Sequence, residues 1–144
     1  MTAHPAAEEP PRAREMKVYR RYFDLLATGR KTIEVRVQYP NLRNLAPGQL
    51  IRFVCGRDEA LTRIKRVARY ESFEHMLDAE GPANVNPDSP RHQQLANIRR
   101  IYGPEKEALG VLAIEIELVR PHATRRDAGQ WPTRERPITV HPYC

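Results

Sequence analysis

Between Val111 and Val119, Ile114, Ile116 and Leu118 alternate with Ala113, Glu115 and Glu117. A period of two puts every second side chain on one face only if the chain is extended, so this stretch reads as a half-buried strand. The pattern recurs twice. Ile33, Val35 and Val37 alternate with Thr32, Glu34 and Arg36, and Ile51, Phe53 and Cys55 share one face of Leu50 to Cys55. A chain with three such stretches has to build a sheet.

Helical spacing appears between them. Arg20 to Thr28 carries Tyr22, Leu25 and Leu26 on one face and meets Gly29 where a helix ends. Ser72 is placed to cap a helix running to about Ala79, with Phe73, Met76 and Leu77 inward. Ser89-Pro90 opens another, whose stripe is Leu95, Ile98 and Tyr102 and which stops at Gly103-Pro104. Gly81 to Pro87 and Pro40 to Pro47 read as loops, and Gly56 to Glu59 as a hairpin connection. Leu61 to Tyr70 stays open: Leu61, Ile64 and Ala68 have helical spacing, yet the preceding turn and Tyr70 suit a strand. Strands and helices interspersed without a βαβ rhythm predict an α+β domain with a small mixed or antiparallel sheet that curls toward a barrel.

The termini differ from this middle. Met1 to Glu15 holds Pro5, Pro10 and Pro11 among Ala, Glu and Arg and reads as a disordered arm, with order beginning near Met16. After Arg120-Pro121 the alternation stops. The tail, with Arg125, Arg126, Trp131, Pro132 and Pro137, is either disordered or laid over the domain with Trp131 as its anchor. The expected organisation is an arm over 1–15, a domain over 16–119 and a tail over 120–144.

Net charge +6 and a pI near 9.7 favour polyanionic partners, nucleic acid first among them, against the plainer reading of an Arg-rich soluble protein. Arg63, Lys65, Arg66 and Arg69 crowd one segment, Arg99-Arg100 end a helix, and Tyr70, Tyr102 or Trp131 are candidates for stacking on a base. Cys55, in an apolar run, reads as a buried free thiol and Cys144 is the last residue, which with the charged, proline-bearing start predicts a cytoplasmic protein. No run approaches a membrane span, so no membrane partner is expected. Among five His and two Cys no metal-ligand spacing appears, and His75 and His92 sit on predicted helices. Neither a metal nor a cofactor is expected, and the oligomeric state is left open.

The polar residues of Lys31 to Arg36 are the candidate site. Thr32, Glu34 and Arg36 share one face of a regular strand, and Lys31 joins them only if the chain starts, bends or bulges beside Gly29. Arg36 and Lys31 then suit a phosphate, and Glu34 a base amino group or a water. The plainer alternative is a surface ion pair between Glu34 and its neighbours.

The run Tyr22 to Arg36, a helix ending in Gly followed by Lys31-x-x-Glu34-x-Arg36, resembles the signature of the ASCH domain. Pro47-Gly48 before an apolar strand, Tyr70-Glu71-Ser72-Phe73 opening a helix, Ile101-Tyr102-Gly103 and the closing strand Gly110 to Leu118 agree in order. The resemblance implies a PUA-like β-barrel flanked by helices, makes Leu61 to Tyr70 a strand, and places a cleft along the Lys31–Arg36 segment. It implies RNA or nucleotide binding there by Lys31, Thr32, Glu34, Arg36, Tyr70 and Ser72. It also carries an alternative, a hydrolase of the ASCH type, either a ribonuclease or an amidohydrolase of acylated cytidine, with Lys31 and Glu34 as its catalytic residues. The amidohydrolases have a nucleophilic threonine where this chain has Glu34, and a carboxylate does not form the same acyl intermediate. Thr32 is two residues out of place for that role, and Glu80 aligns only loosely with the distant carboxylate of those enzymes.

Overall fold

The computed structural model describes residues 13–124, with Pro121 and His122 described in their backbone alone. Most of the expected arm, and the tail from Arg125 onward with Trp131, lie outside the described residues. Strand β1 (Ala13–Lys17) leads to α1 (Arg20–Ala27), β2 (Ile33–Val37), a 3-10 turn at Pro40–Leu42, β3 (Leu50–Cys55) and β4 (Asp58–Tyr70). Four helices follow, α2 (Phe73–Glu80), α3 (Pro82–Val85), α4 (Arg91–Ile101) and α5 (Pro104–Glu107), before β5 (Val111–Thr124) closes the order. The described residues begin at Ala13, within the expected arm, and Ala13 to Lys17 pair in parallel with β3. The loop expected over Gly81 to Pro87 contains the one-turn α3, and a second one-turn helix, α5, precedes β5.

The sheet runs β1-β3-β4-β5-β2, parallel at β1–β3 and antiparallel elsewhere. It curls into a half-barrel. The register of β4 against β5 shifts three times, with the extra residue on β5 between Glu59 and Leu61 and between Leu61 and Thr62, and on β4 between Ile64 and Arg66. Bulges of this kind bend a strand and strengthen its twist. They also account for the ambiguous pattern in the sequence. An extra residue between Ile64 and Val67 returns both to the same apolar cluster, so a three-residue step that mimics a helix is the mark of a bulge.

Apolar clusters fill both faces. Inside the curl, Met16, Phe23, Leu26, Ile51, Phe53, Ile64, Leu112, Ile114 and Ile116 pack around α1. On the other face Ile33, Val37, Val111 and Ala113 meet Phe73, Met76 and Leu77 of α2, Val85 of α3 and Ile98 of α4. Ala113, on the polar side of the alternation, is therefore fully enclosed. Cys55 is buried but not a free thiol: it is disulfide-bonded, which corrects the sequence reading and removes the argument from free cysteines to a reducing compartment. Cys144, the chain's other cysteine, lies outside the described residues. No helix among the described residues is long and apolar enough to cross a membrane.

Helix α2 starts as its sequence requires: the Ser72 side chain accepts from the His75 backbone N–H at 3.0 Å. For α4 the cap residue is Pro90, and Ser89 makes no capping bond. The far end of α2 is tied to the sheet by charge. Glu80 takes two bonds from Arg66 on β4, at 2.6 and 3.0 Å, and one from the Tyr70 hydroxyl at 2.6 Å. Arg66 also donates to Glu115 on β5 at 2.8 Å. The Arg66 guanidinium is the main cause that holds the Glu80 carboxyl below the usual range, against burial and with help from Tyr70.

Two predictions follow from these packing relations. Gly110 opens β5 at φ +106° and a Cβ there would run into the Gln38 side chain. Gly110→Ala therefore lowers stability by about 1–3 kcal/mol, read from urea unfolding. Because the folded-state pKa of Glu80 is depressed, its contribution is present above the unfolded-state pKa and is lost as pH falls through the folded-state value. Glu80→Gln should cost about 1–3 kcal/mol at pH 7 and flatten the acid limb of a stability–pH curve. An acid limb as steep as that of the wild type would show that Glu80 does not carry it.

Candidate functional site

The position of Lys31 is set by the way α1 ends. The Arg30 N–H donates to Leu25 O at 2.9 Å and the Gly29 N–H to Leu26 O at 3.1 Å, the paired bonds of a Schellman motif. Gly29 supplies the left-handed residue, at φ 78°. The Lys31 N–H is drawn into the same cap, donating to Leu25 O at 3.1 Å. The chain turns before β2 begins at Ile33, so Lys31 is free of the strand's alternation and its side chain goes inward, 4% exposed. The break beside Gly29 that Lys31 needs is this helix cap.

β2 is an edge strand. Thr32 O accepts from Ile116 N at 3.0 Å and Gln38 N donates to Gly110 O at 3.0 Å. With the register Ile33↔Glu115 to Val37↔Val111, the even-numbered residues bond to β5 and the odd-numbered ones turn their backbone groups outward. Lys31 Nζ caps one such outward carbonyl, donating to Ile33 O at 2.6 Å, and also donates to Val85 O at 3.0 Å on the last turn of α3. The other sheet edge, β1, is close by: Arg36 Nη2 donates to Lys17 O at 2.9 Å. That bond spans the open side of the half-barrel.

A cleft of about 570 Å³, counted to its open mouth, straddles this edge. Val18, Tyr19, Tyr22, Lys31, Glu34 and Arg36 contribute from the α1 side, and Val85, Asn86, Gln94, Ile98, Ile101 and Tyr102 from the helical side, with Val35 between. The lining is mostly apolar and aromatic with a few polar groups, the usual character of small-molecule sites. Glu34 sits between two cations. Its Oε2 accepts from Arg36 Nε at 2.7 Å and its Oε1 is 3.7 Å from Lys31 Nζ. The Lys31 ammonium lies 5.5 Å from the Tyr22 ring centroid. Burial pushes its pKa down, opposed by the Glu34 carboxylate.

Of the residues singled out in the sequence, Lys31, Glu34 and Arg36 meet in the cleft. Thr32 does not line it, and its backbone is held by Asn84 and Ile116. Tyr70 belongs to the Arg66–Glu80 cluster and Ser72 caps α2, so neither lines the cleft. The basic track is largely answered by acids: Arg63 pairs with Glu117, Lys65 and Arg66 with Glu115, and Arg99 with Glu107. Arg69 is bonded to Gln38 and to the Arg43 carbonyl. His75 stands edge-on to Tyr70, 5.2 Å between ring centres. Among the described residues no cluster of three or more His, Cys, Asp or Glu is arranged to hold a metal.

Tyr19, Val35, Asn86 and Gln94 were not singled out. Gln94 had a signal: it lies four residues before Ile98 and eight before Tyr102, a polar residue on the apolar stripe of α4. Asn86 stood in a segment read as loop and carried none.

The residues 16–120 match the model of the ASCH domain family. The hypothetical protein PH0355 is 34% identical, with a TM-score of 0.69, the alignment covering 75% of this chain and 100% of that one. Protein PF0455 from Pyrococcus furiosus is also 34% identical, with a TM-score of 0.61 over 75% of this chain and 98% of that one. ZmASCH from Zymomonas mobilis shares the fold, with a TM-score of 0.59 over 91% of this chain and 88% of its own, at 12% identity. No curated protein matches the sequence. The family match spans the sheet, the helices and the cleft alike, and the chain belongs to the ASCH domain family.

Proposed function

We propose that the cleft binds RNA or a nucleotide, with a base seated among the aromatic side chains and a phosphate at the mouth. The observation that carries this reading is the pairing of an aromatic-lined interior with two exposed arginines that act on the lining residue Tyr22 and have no acidic partner among the described residues. Tyr19, Tyr22 and Tyr102 supply flat apolar surface, the kind on which unpaired bases stack. Arg21 lies over Tyr22, its guanidinium carbon 5.3 Å from the ring centroid, and Arg100 is close enough to act on the Tyr22 hydroxyl. Both arginines are exposed, whereas the arginines and Lys65 of β4 are engaged elsewhere. A phosphate held here would meet charge that the protein does not already use.

The geometry gives the hydrolytic alternative less. Lys31 is committed to two carbonyls, and both oxygens of Glu34 face cations. Glu80 is held by Arg66 and Tyr70 and does not line the cleft. A general acid and base therefore have no obvious pair of side chains on which to act.

Fluorescence anisotropy with a short single-stranded RNA tests the binding reading. The chain should bind at low salt, and Arg21→Ala with Arg100→Ala should weaken binding while making the dependence of log K on log salt shallower by about 0.7 per arginine. Absence of binding at low salt, or a slope the double variant leaves unchanged, would refute it.

A further inference from the structure

Hydrogen bonding along the free edge of β2 leaves one residue over. In an antiparallel pair the N–H and C=O of a given residue point the same way, either both toward the partner strand or both away from it. Glu34 and Arg36 turn theirs to β5, so Ile33, Val35 and Val37 turn theirs outward. Two of the three outward carbonyls are answered within the chain, Ile33 O by Lys31 Nζ at 2.6 Å and Val37 O by the Tyr39 N–H at 2.7 Å. Between them, the N–H and the carbonyl of Val35 have no hydrogen-bond partner among the described residues.

The cleft runs across this edge. Glu34 and Arg36 line it from one face of β2 and Val35 from the other, and β5 covers the strand's opposite edge. The cavity can therefore pass from face to face only over the outward groups of Val35, a half-buried residue. Tyr22 of α1 and Tyr102 at the end of α4 belong to the two walls, so a flat ring between them meets the strand edge-on. Such a ring displaces water from Val35 and has to replace two bonds, one from the N–H and one to the carbonyl; a ring that leaves either group unmet is penalised. Every nucleobase carries a donor and an acceptor side by side on its pairing edge: the amino group and ring nitrogen of adenine or cytosine, the ring N–H and keto oxygen of guanine or uracil.

Building on the nucleotide reading above, we infer that the backbone of Val35 is the base-reading subsite of the cleft, its N–H donating to the pairing edge of the bound base and its carbonyl accepting from it. The cleft thereby takes an unpaired base of any of the four kinds and refuses one whose pairing edge is already occupied. Lys31 and the Tyr39 N–H are part of the device. By engaging the carbonyls on either side, they leave a single open carbonyl on the strand edge, beside the N–H of the same residue. The lysine that fixes the edge also faces Glu34, which ties the reading group to the charged one.

Two isomers of methylated UMP, titrated into the full chain by calorimetry, test this. The methyl group of 3-methyl-UMP replaces the N–H of the pairing edge, whereas that of 5-methyl-UMP lies on another edge of the ring and leaves the pair intact. The wild type should bind 5-methyl-UMP at least about tenfold more tightly than 3-methyl-UMP. On binding 5-methyl-UMP, the Val35 amide proton should move downfield in the NMR spectrum, because it gains an acceptor. Val35→Pro removes the N–H at an edge position where it serves no ladder bond and proline is tolerated. It should narrow the gap to about twofold by weakening 5-methyl-UMP, while Val35→Ala, which keeps both backbone groups, preserves the gap. Equal binding of the two isomers, an unmoved Val35 amide, or a gap that Val35→Pro leaves intact would overturn the inference with nucleotide binding still standing. No binding of UMP or of either isomer would overturn both. If Val35→Pro fails to give a folded chain by circular dichroism, the isomer comparison and the amide shift of the wild type decide the matter.

Discussion

The buried ammonium of Lys31 is the interaction on which this arrangement depends. A lysine is rarely enclosed unless its charge is answered, because taking an ammonium out of water is costly. Here the answer comes from three parts of the chain: the outward carbonyl of Ile33 on an edge strand, the last-turn carbonyl of Val85 on α3, and the carboxylate of Glu34. Each carbonyl faces away from regular hydrogen bonding, so lysine and backbone satisfy one another. The edge of the sheet, the short helix and the charged group are thus fixed by one nitrogen. The cleft exists because these three parts are held together without closing over it.

Sheet topology explains why the opening falls where it does. A curled sheet of five strands does not complete a barrel, and its two free edges, β1 and β2, come close without pairing. Arg36 bridges them through one side-chain bond to the Lys17 carbonyl while its Nε holds Glu34. A barrel closed by backbone pairing would have no cleft at this seam. Closure by a side chain leaves both faces of β2 open to the same space, so Glu34 and Arg36 from one face and Val35 from the other line one cavity.

Alternation made much of this legible. The strands at Ile33–Val37, Leu50–Cys55 and Val111 onward lie where their β-branched and apolar residues alternate, and α1 and α2 end and begin at Gly29 and Ser72 as their caps require. What alternation conceals is a bulge, since an added residue shifts the parity of everything after it, as between Ile64 and Val67. It also conceals partnership. Arg63, Lys65 and Arg66 form a basic cluster in one dimension, but Glu115 and Glu117 lie opposite them on β5, fifty residues away or so in sequence, and the cluster is largely neutralised. Tyr70 beside that cluster is drawn to Glu80 for the same reason. Arg100, named in the sequence with Arg99, and Arg21, which was not singled out there, are left without acidic partners among the described residues.

The charge that matters for a ligand is therefore not the +6 of the whole chain but the portion left over after internal pairing. On β4 and β5 the surplus is small because strand register sets acids against bases. At the cleft Glu34 faces both Lys31 and Arg36, while Arg21, which stands over the Tyr22 ring, and Arg100 have no acidic partner among the described residues. Removing Glu34 would not simply make the cleft more positive. It would leave a buried ammonium with carbonyl dipoles alone, raising the cost of its charge, and would free Arg36 from the strand edge it spans. Glu34 is the counter-charge beside which a lysine is buried in the cleft.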